Sequence, residues 1–204
     1  MHPLLSYIYL QLMYPAFQNN IKSKVNISEQ QLIDVCQQFT FKKVRKKQLI
    51  LEEGDVCNKV FFIEKGGFFS YNINDKGGIQ VLQFGFDGWW ISDLYSFFTG
   101  EPSKMNIEAL EDSEVIYLTK DAHSQLVDSM PVFESYMRQL YQNAYVSNQR
   151  RLEDTIGLTA EDKYSKFLNG PYSAIMARVP QHLIASYLGV TPETLSRIRK
   201  NFTP

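Results

Sequence analysis

Four side chains close to the C-terminal end of the chain have the types and the spacing needed to read a base pair. Glu193, Ser196, Arg197 and Lys200 fall at i, i+3, i+4 and i+7, so on a helix they share one face. Arginine can engage guanine O6 and N7 through two parallel hydrogen bonds, a carboxylate accepts from cytosine N4, and a serine hydroxyl adapts to either role. Arg178, Arg199 and Lys200 add charge suited to phosphates. Across positions 178–201 four Lys/Arg stand against a single acid, Glu193. Taken alone, Glu193 and Arg197 are also an ordinary i, i+4 surface pair worth about a few tenths of a kcal/mol. The face acquires meaning only from the elements that hold it.

Those elements read as two short helices joined by a tight turn. Gly189 stands at the turn, where a positive φ is inexpensive only for glycine. Ala185 is small enough for a second helix to cross closely. Ile184, Leu188, Val190, Leu195 and Ile198 supply the apolar contacts. Thr191 is a suitable N-cap, and Pro192 follows at the first helical position, where a missing N–H is harmless. The pattern is that of a helix-turn-helix whose second helix enters a DNA major groove. Double-stranded DNA is therefore the expected partner, contacted by Gln181, His182, Thr191, Glu193, Ser196, Arg197, Arg199 and Lys200.

Upstream, the periodicity changes twice. Ser28 to Gln31 reads as a capping box, opening a helix with Leu32, Cys36 and Phe39 on its apolar face. Turn signals then recur at Gly54, Gly66-Gly67, Gly77-Gly78, Gly88, Gly100 and Asp112, with strand-like runs between them at 48–51, 60–63, 68–71, 79–84, 106–110 and 115–118. Short strands at such spacing predict a compact antiparallel barrel or roll. The basic run 42–47 reads as a solvated strand whose charges protect an edge. Thr119 caps a short helix that ends before Pro131. A long helix follows to about Ile156, roughly 40 Å at 1.5 Å per residue. Met137, Tyr141, Tyr145, Asn148 and Leu152 approximate a coiled-coil seam with a polar residue that can set register, so a homodimer is expected. Thr159 opens the next helix. The predicted class is α+β: an N-terminal antiparallel β roll (a double-stranded β-helix), a long dimerisation helix and a C-terminal helix-turn-helix. The division expected is 1–130, 131–157 and 158–204.

Composition bounds the remaining possibilities. The chain has 204 residues and a net charge of −1, so any affinity for nucleic acid must be local. Two cysteines, Cys36 and Cys57, make no disulfide framework and cannot ligate an iron–sulfur cluster alone, which points to a reducing cytoplasm. Leu4–Met13 is apolar but too short to span a bilayer and lacks a basic flank, so it reads as an amphipathic helix packed on the body, with no membrane partner. The three histidines, His2, His123 and His182, lie far apart in the chain, and no G-x-S-x-G, H-E-x-x-H or P-loop pattern is present. No enzyme activity, cofactor or metal is expected. The rivals are a cupin-like metal enzyme on the β roll and a protein-interaction module.

A β roll, a long helix and a C-terminal helix-turn-helix, in that order, resemble the CRP/FNR family of bacterial transcription regulators. The resemblance covers nearly the whole chain and is most specific at Pro180–Lys200 and at Phe61–Gly66, similar to the family's strand and glycine turn. It implies a cyclic-nucleotide-binding-like roll that takes a small effector, dimerisation through the long helix and, at a promoter, RNA polymerase as a further partner. Glu193-Thr-Leu-Ser-Arg197 looks like the FNR-type Glu-x-x-Ser-Arg pattern. That implies a palindrome of TTGA-type half-sites, with Arg197 on guanine and Glu193 on the opposite cytosine. Pro192 replaces the arginine of the cyclic-AMP receptor branch. In cyclic-nucleotide binders a Gly-Glu pair holds the ribose and an Arg-Ser or Arg-Thr pair the phosphate. Here Ser92-Asp93 and Ser103-Lys104 stand at those positions. The resemblance therefore implies an effector other than cyclic AMP, with Trp89, Trp90, Ser92, Asp93, Ser103 and Lys104 as pocket candidates.

Overall fold

The computed structural model describes residues 13–202. The anticipated N-terminal helix at Leu4–Met13 lies, but for its last residue, outside them. Two helices come first, α1 (Pro15–Lys22) and α2 (Glu29–Gln37). The strands follow as β1 (Thr40–Val44), β2 (Leu49–Leu51), β3 (Lys59–Lys65), β4 (Gly67–Ile73), β5 (Ile79–Phe86), β6 (Trp90–Ile91), β7 (Asn106–Ala109) and β8 (Ser113–Thr119). A short helix, α3 (Leu94–Thr99), interrupts them. The chain continues through α4 (Lys120–Ser129), α5 (Pro131–Gly157), α6 (Ala160–Asn169), a 3₁₀ turn (Ser173–Arg178), α7 (Gln181–Leu188) and α8 (Pro192–Phe202). The strands form two four-stranded sheets, ordered β1-β8-β3-β6 and β2-β7-β4-β5. By compactness the chain falls into two units: Met1–Phe69 with Gly85–Gln142, and Ser70–Phe84 with Asn143–Pro204. The break falls inside α5, and most of the β4–β5 hairpin, Ser70–Phe84, goes with the C-terminal helices.

Local chemistry explains the helix starts. Ser28 and Gln31 form the reciprocal capping box, with each side chain accepting the other's backbone N–H. Thr119 and Thr159 cap α4 and α6 by accepting from Ala122 and Asp162 N–H. Helix α1 has no such local signal. Its first amides, at Ala16 and Phe17, donate to the Glu64 carboxylate at 3.1 and 2.8 Å. Glu64 comes from β3, and burial raises its carboxyl above the usual range even though these two bonds pull the other way.

Strand β3 is buried along Val60–Ile63, so both of its faces are covered and it loses the alternation of a half-exposed strand. Phe62 meets Phe17 of α1 and Trp90, with ring centroids 5.3 and 5.5 Å away. The basic run behaves as an edge: β1 is the outer strand of its sheet, and Lys43 and Arg45–Lys47 are exposed. Trp90 is half-buried and packs against the core. Its Nε1 donates to the Tyr136 hydroxyl at 3.0 Å, which donates to Asn20 Oδ1 at 2.7 Å. This chain ties β6, α5 and α1 around one aromatic cluster and satisfies the polar atoms that burial would otherwise strand.

His123 of α4 is buried against Phe97 and Phe133, and its Nε2 lies 2.7 Å from the Tyr141 hydroxyl. Desolvation lowers its pKa and raises that of Tyr141. The unfolded chain, with an imidazole pKa of about 6.5, therefore binds the proton first as pH falls. Stability from neutral His123 is complete above that value and declines as pH drops toward the folded-state pKa. Denaturation midpoints of wild type should fall between roughly pH 7 and pH 5 more steeply than those of His123→Gln. Parallel pH profiles of the two proteins would refute a buried neutral imidazole.

Candidate nucleic-acid interface

Helix α7 ends where Gly189 takes a left-handed conformation, φ 71° and ψ 30°. Gly189 N–H donates to Ser186 C=O and Val190 N–H to Ala185 C=O, each at 3.0 Å. This is the paired closure of a Schellman turn, and it redirects the chain within two residues. Thr191 then accepts from Thr194 N–H at 3.2 Å, capping α8, with Pro192 at its first position. Leu195 and Ile198 are buried, as are Ile184, Ala185 and Leu188 of α7 and Tyr164 and Phe167 of α6. Helix α8 thus gives two residues, Leu195 and Ile198, to a small core, and the geometry is a helix-turn-helix.

The opposite face of α8 is open. Glu193, Ser196, Arg197 and Lys200 are exposed, as are Thr191, Gln181 and His182; Arg199 is half-buried. Glu193 stands in the first turn, where its own backbone N–H and the Thr191 hydroxyl hold its carboxyl below the usual range. It is an acceptor at neutral pH. Gln181, Pro192, Ser196, Arg199 and Lys200 line one shallow recess beside this face. A carboxylate, a hydroxyl and a guanidinium are therefore presented side by side on a helix whose other side is anchored.

The long helix is buried at its start and open in its second half. Met137 is 2% exposed and belongs to the aromatic core, because α5 begins by packing on the roll. Tyr141 is half-buried and bonded to His123. The open apolar positions start later: Tyr145 is 65% exposed, Leu152 56% and Ile156 80%, with Asn148 exposed among them. Ile156 continues the spacing of Tyr145, Asn148 and Leu152 and is the most open of the apolar three.

Of the six roll residues expected to line an effector pocket, Asp93 and Ser103 bond to each other, and Ser92 and Trp90 bond to residues outside the set. Both Asp93 oxygens are occupied: Oδ1 accepts from Ser96 N–H at 3.1 Å, capping α3, and Oδ2 from the Ser103 hydroxyl at 2.8 Å. Ser92 donates to Lys59 C=O at 2.8 Å and lies 3.3 Å from the Cys57 thiol. Trp90 faces the aromatic core, Trp89 is half-buried and Lys104 is exposed. Asp93 and Ser103 come together, yet as a buried structural pair. Among the described residues no group of three or more His, Cys, Asp or Glu could hold a metal ion, and no helix is long and apolar enough to cross a membrane. Asp93→Ala removes a cap and the shorter of the two acceptors of the buried Ser103 hydroxyl, leaving it only the Met105 C=O at 3.0 Å. It should destabilise the fold by about 1–3 kcal/mol in urea titrations. An unchanged midpoint would show that Asp93 is not structural.

Comparison with known proteins agrees with this geometry. Residues 41–130 match the cyclic nucleotide-binding domain. The regulatory protein HlyX of Actinobacillus pleuropneumoniae is 29% identical over 177 residues, covering 79% of this chain and 70% of that protein. The structure of FixK2 from Bradyrhizobium japonicum superposes with a TM-score of 0.71 at 19% identity, covering 80% of this chain and 84% of the other. A structure described as a transcriptional regulator of the CRP/FNR family from Eubacterium rectale gives a TM-score of 0.65 at 16% identity, covering 86% and 83%. The order of roll, long helix and helix-turn-helix, the domain match and these relatives agree: the chain is similar in sequence to regulatory proteins such as HlyX and shares the fold of solved CRP/FNR regulators.

Proposed function

We propose that the chain works as a homodimer that reads a palindromic, TTGA-like DNA site in the cytoplasm, with one α8 helix in each half-site. The observation that carries this reading is the exposed Glu193–Ser196–Arg197–Lys200 face on a helix anchored by Leu195 and Ile198. CRP/FNR regulators act as DNA-binding dimers. Arg197 takes guanine, Glu193 the opposite cytosine, and Ser196 an adjacent base edge. Gln181, His182, Thr191, Arg199 and Lys200 sit around them for the phosphates, and the N-terminus of α8 favours an anion. The dimer seam runs through Tyr145, Leu152 and Ile156, with Asn148 for register. RNA polymerase is the partner at the promoter. The functional division is a sensing roll over 1–130, the long helix over 131–157 and the DNA-binding segment over 158–204.

The effector is not a cyclic nucleotide. Asp93, at the ribose position, is buried and bonded to Ser103 of the phosphate position, and Lys104, without a guanidinium fork, is exposed in place of an arginine that could grip the phosphate. Calorimetry with cyclic AMP should show no stoichiometric binding.

Arg197→Ala should weaken binding to the cognate duplex by about 1–3 kcal/mol and relax the preference for guanine. Titration of cognate and guanine-substituted duplexes measures both, and unchanged discrimination removes Arg197 from base readout. The double variant Leu152→Glu, Ile156→Glu should move the protein toward monomer in sedimentation experiments while leaving the roll folded. A dimer that survives both charges rejects this seam.

A further inference from the structure

Strand β5 is the outer strand of its sheet, so one row of its backbone groups faces away from β4. Residues 79 and 81, two apart, direct their N–H and C=O to the same edge. Two side chains from the C-terminal helices meet them. The Ser186 hydroxyl, on α7, accepts from Val81 N–H at 3.0 Å and donates to Ile79 C=O at 2.7 Å. The Arg151 guanidinium, on α5, donates to Val81 C=O at 3.0 Å and lies 4.3 Å from the centre of the Tyr187 ring. Beside these bonds Phe84, Tyr172 and Tyr187 pack at centroid distances of 5.3–5.8 Å. Burial holds the Tyr172 hydroxyl far above its ordinary range.

We propose that Ser186 and Arg151 are positioning residues for DNA binding: they clamp the helix-turn-helix onto the β5 edge, so that each recognition helix meets its half-site in one fixed orientation. The inference rests on the palindrome reading above. In the clamped arrangement Ser186 and Tyr187 of α7 engage the hairpin, whereas Ile184, Ala185 and Leu188 are buried and the readout face of α8 remains exposed. The clamp is therefore compatible with bound DNA. Its physical effect is on the second binding event. Once one half-site is filled, the effective concentration of the other recognition helix depends on how narrowly it is oriented. A helix-turn-helix freed from the hairpin still recognises a single half-site but meets a pair of them less efficiently.

The test compares two duplexes, one with inverted paired half-sites and one with a single half-site, titrated by fluorescence anisotropy against wild type, Ser186→Ala and Ser186→Thr. Alanine is favourable in a helix, so α7 is retained in the first variant. Ser186→Ala should weaken paired-site binding on the order of tenfold and single-site binding by less than about twofold. Ser186→Thr, which keeps the hydroxyl, should restore the paired-site affinity. Amide exchange at Val81, followed by NMR, should be slow in wild type and fast in Ser186→Ala. Equal losses on both duplexes would assign Ser186 a purely structural role and overturn the proposal, as would unchanged Val81 exchange. If wild type bound neither duplex, the palindrome reading would fall and the positioning role with it, while slow Val81 exchange would still show that the contact exists.

Discussion

Helix α8 has only one way to bury its apolar stripe. Leu195 and Ile198 are three residues apart and both lie against the small core that includes Ile184, Ala185 and Leu188. With 3.6 residues per turn, placing these two inward turns Glu193, Ser196, Arg197 and Lys200 outward together. The turn at Gly189 makes the close crossing feasible, because the left-handed backbone there reverses direction without a loop. A bulky residue in place of Ala185 would push the helices apart, and the outward face would lose its anchored orientation.

The roll illustrates how a binding site can be replaced by structure. A carboxylate can accept from a sugar hydroxyl only if the ligand can reach it, and Asp93 is buried. Asp93 has both oxygens bonded, one to the start of α3 and the other to Ser103. Breaking that pair to admit a ligand would leave a buried carboxylate and hydroxyl seeking new partners, which is unfavourable unless the ligand supplies them. The match to the cyclic nucleotide-binding domain is thus a statement about fold, and the ligand chemistry of that fold does not carry over residue by residue.

The helix α5 serves two environments along its length. Phe133, Tyr136 and Met137 are buried in an aromatic core, whereas Tyr145, Leu152 and Ile156 are open. A single apolar spacing runs through both parts, so period alone cannot say where packing on the roll stops and an exposed seam begins. Met137 fits the spacing of the seam and belongs to the core instead. The difference comes from α1, whose Phe17 and Asn20 reach Trp90 and Tyr136.

The sequence by itself determined whatever is encoded within a turn or two: the caps at Ser28, Thr119, Thr159 and Thr191, the glycine turns, the strand spacing, and the shared face of Glu193, Ser196, Arg197 and Lys200. These depend on dihedral preferences and on helical and strand periods, which act between near neighbours. Tertiary structure alone decided which polar groups are satisfied across long separations. Glu64 caps α1, Asp93 is closed by Ser103, Trp90 turns to Tyr136, and Ser186 meets the edge of β5. No local pattern announces such partners, because each exists only where folding brings a buried donor within about 3 Å of an acceptor.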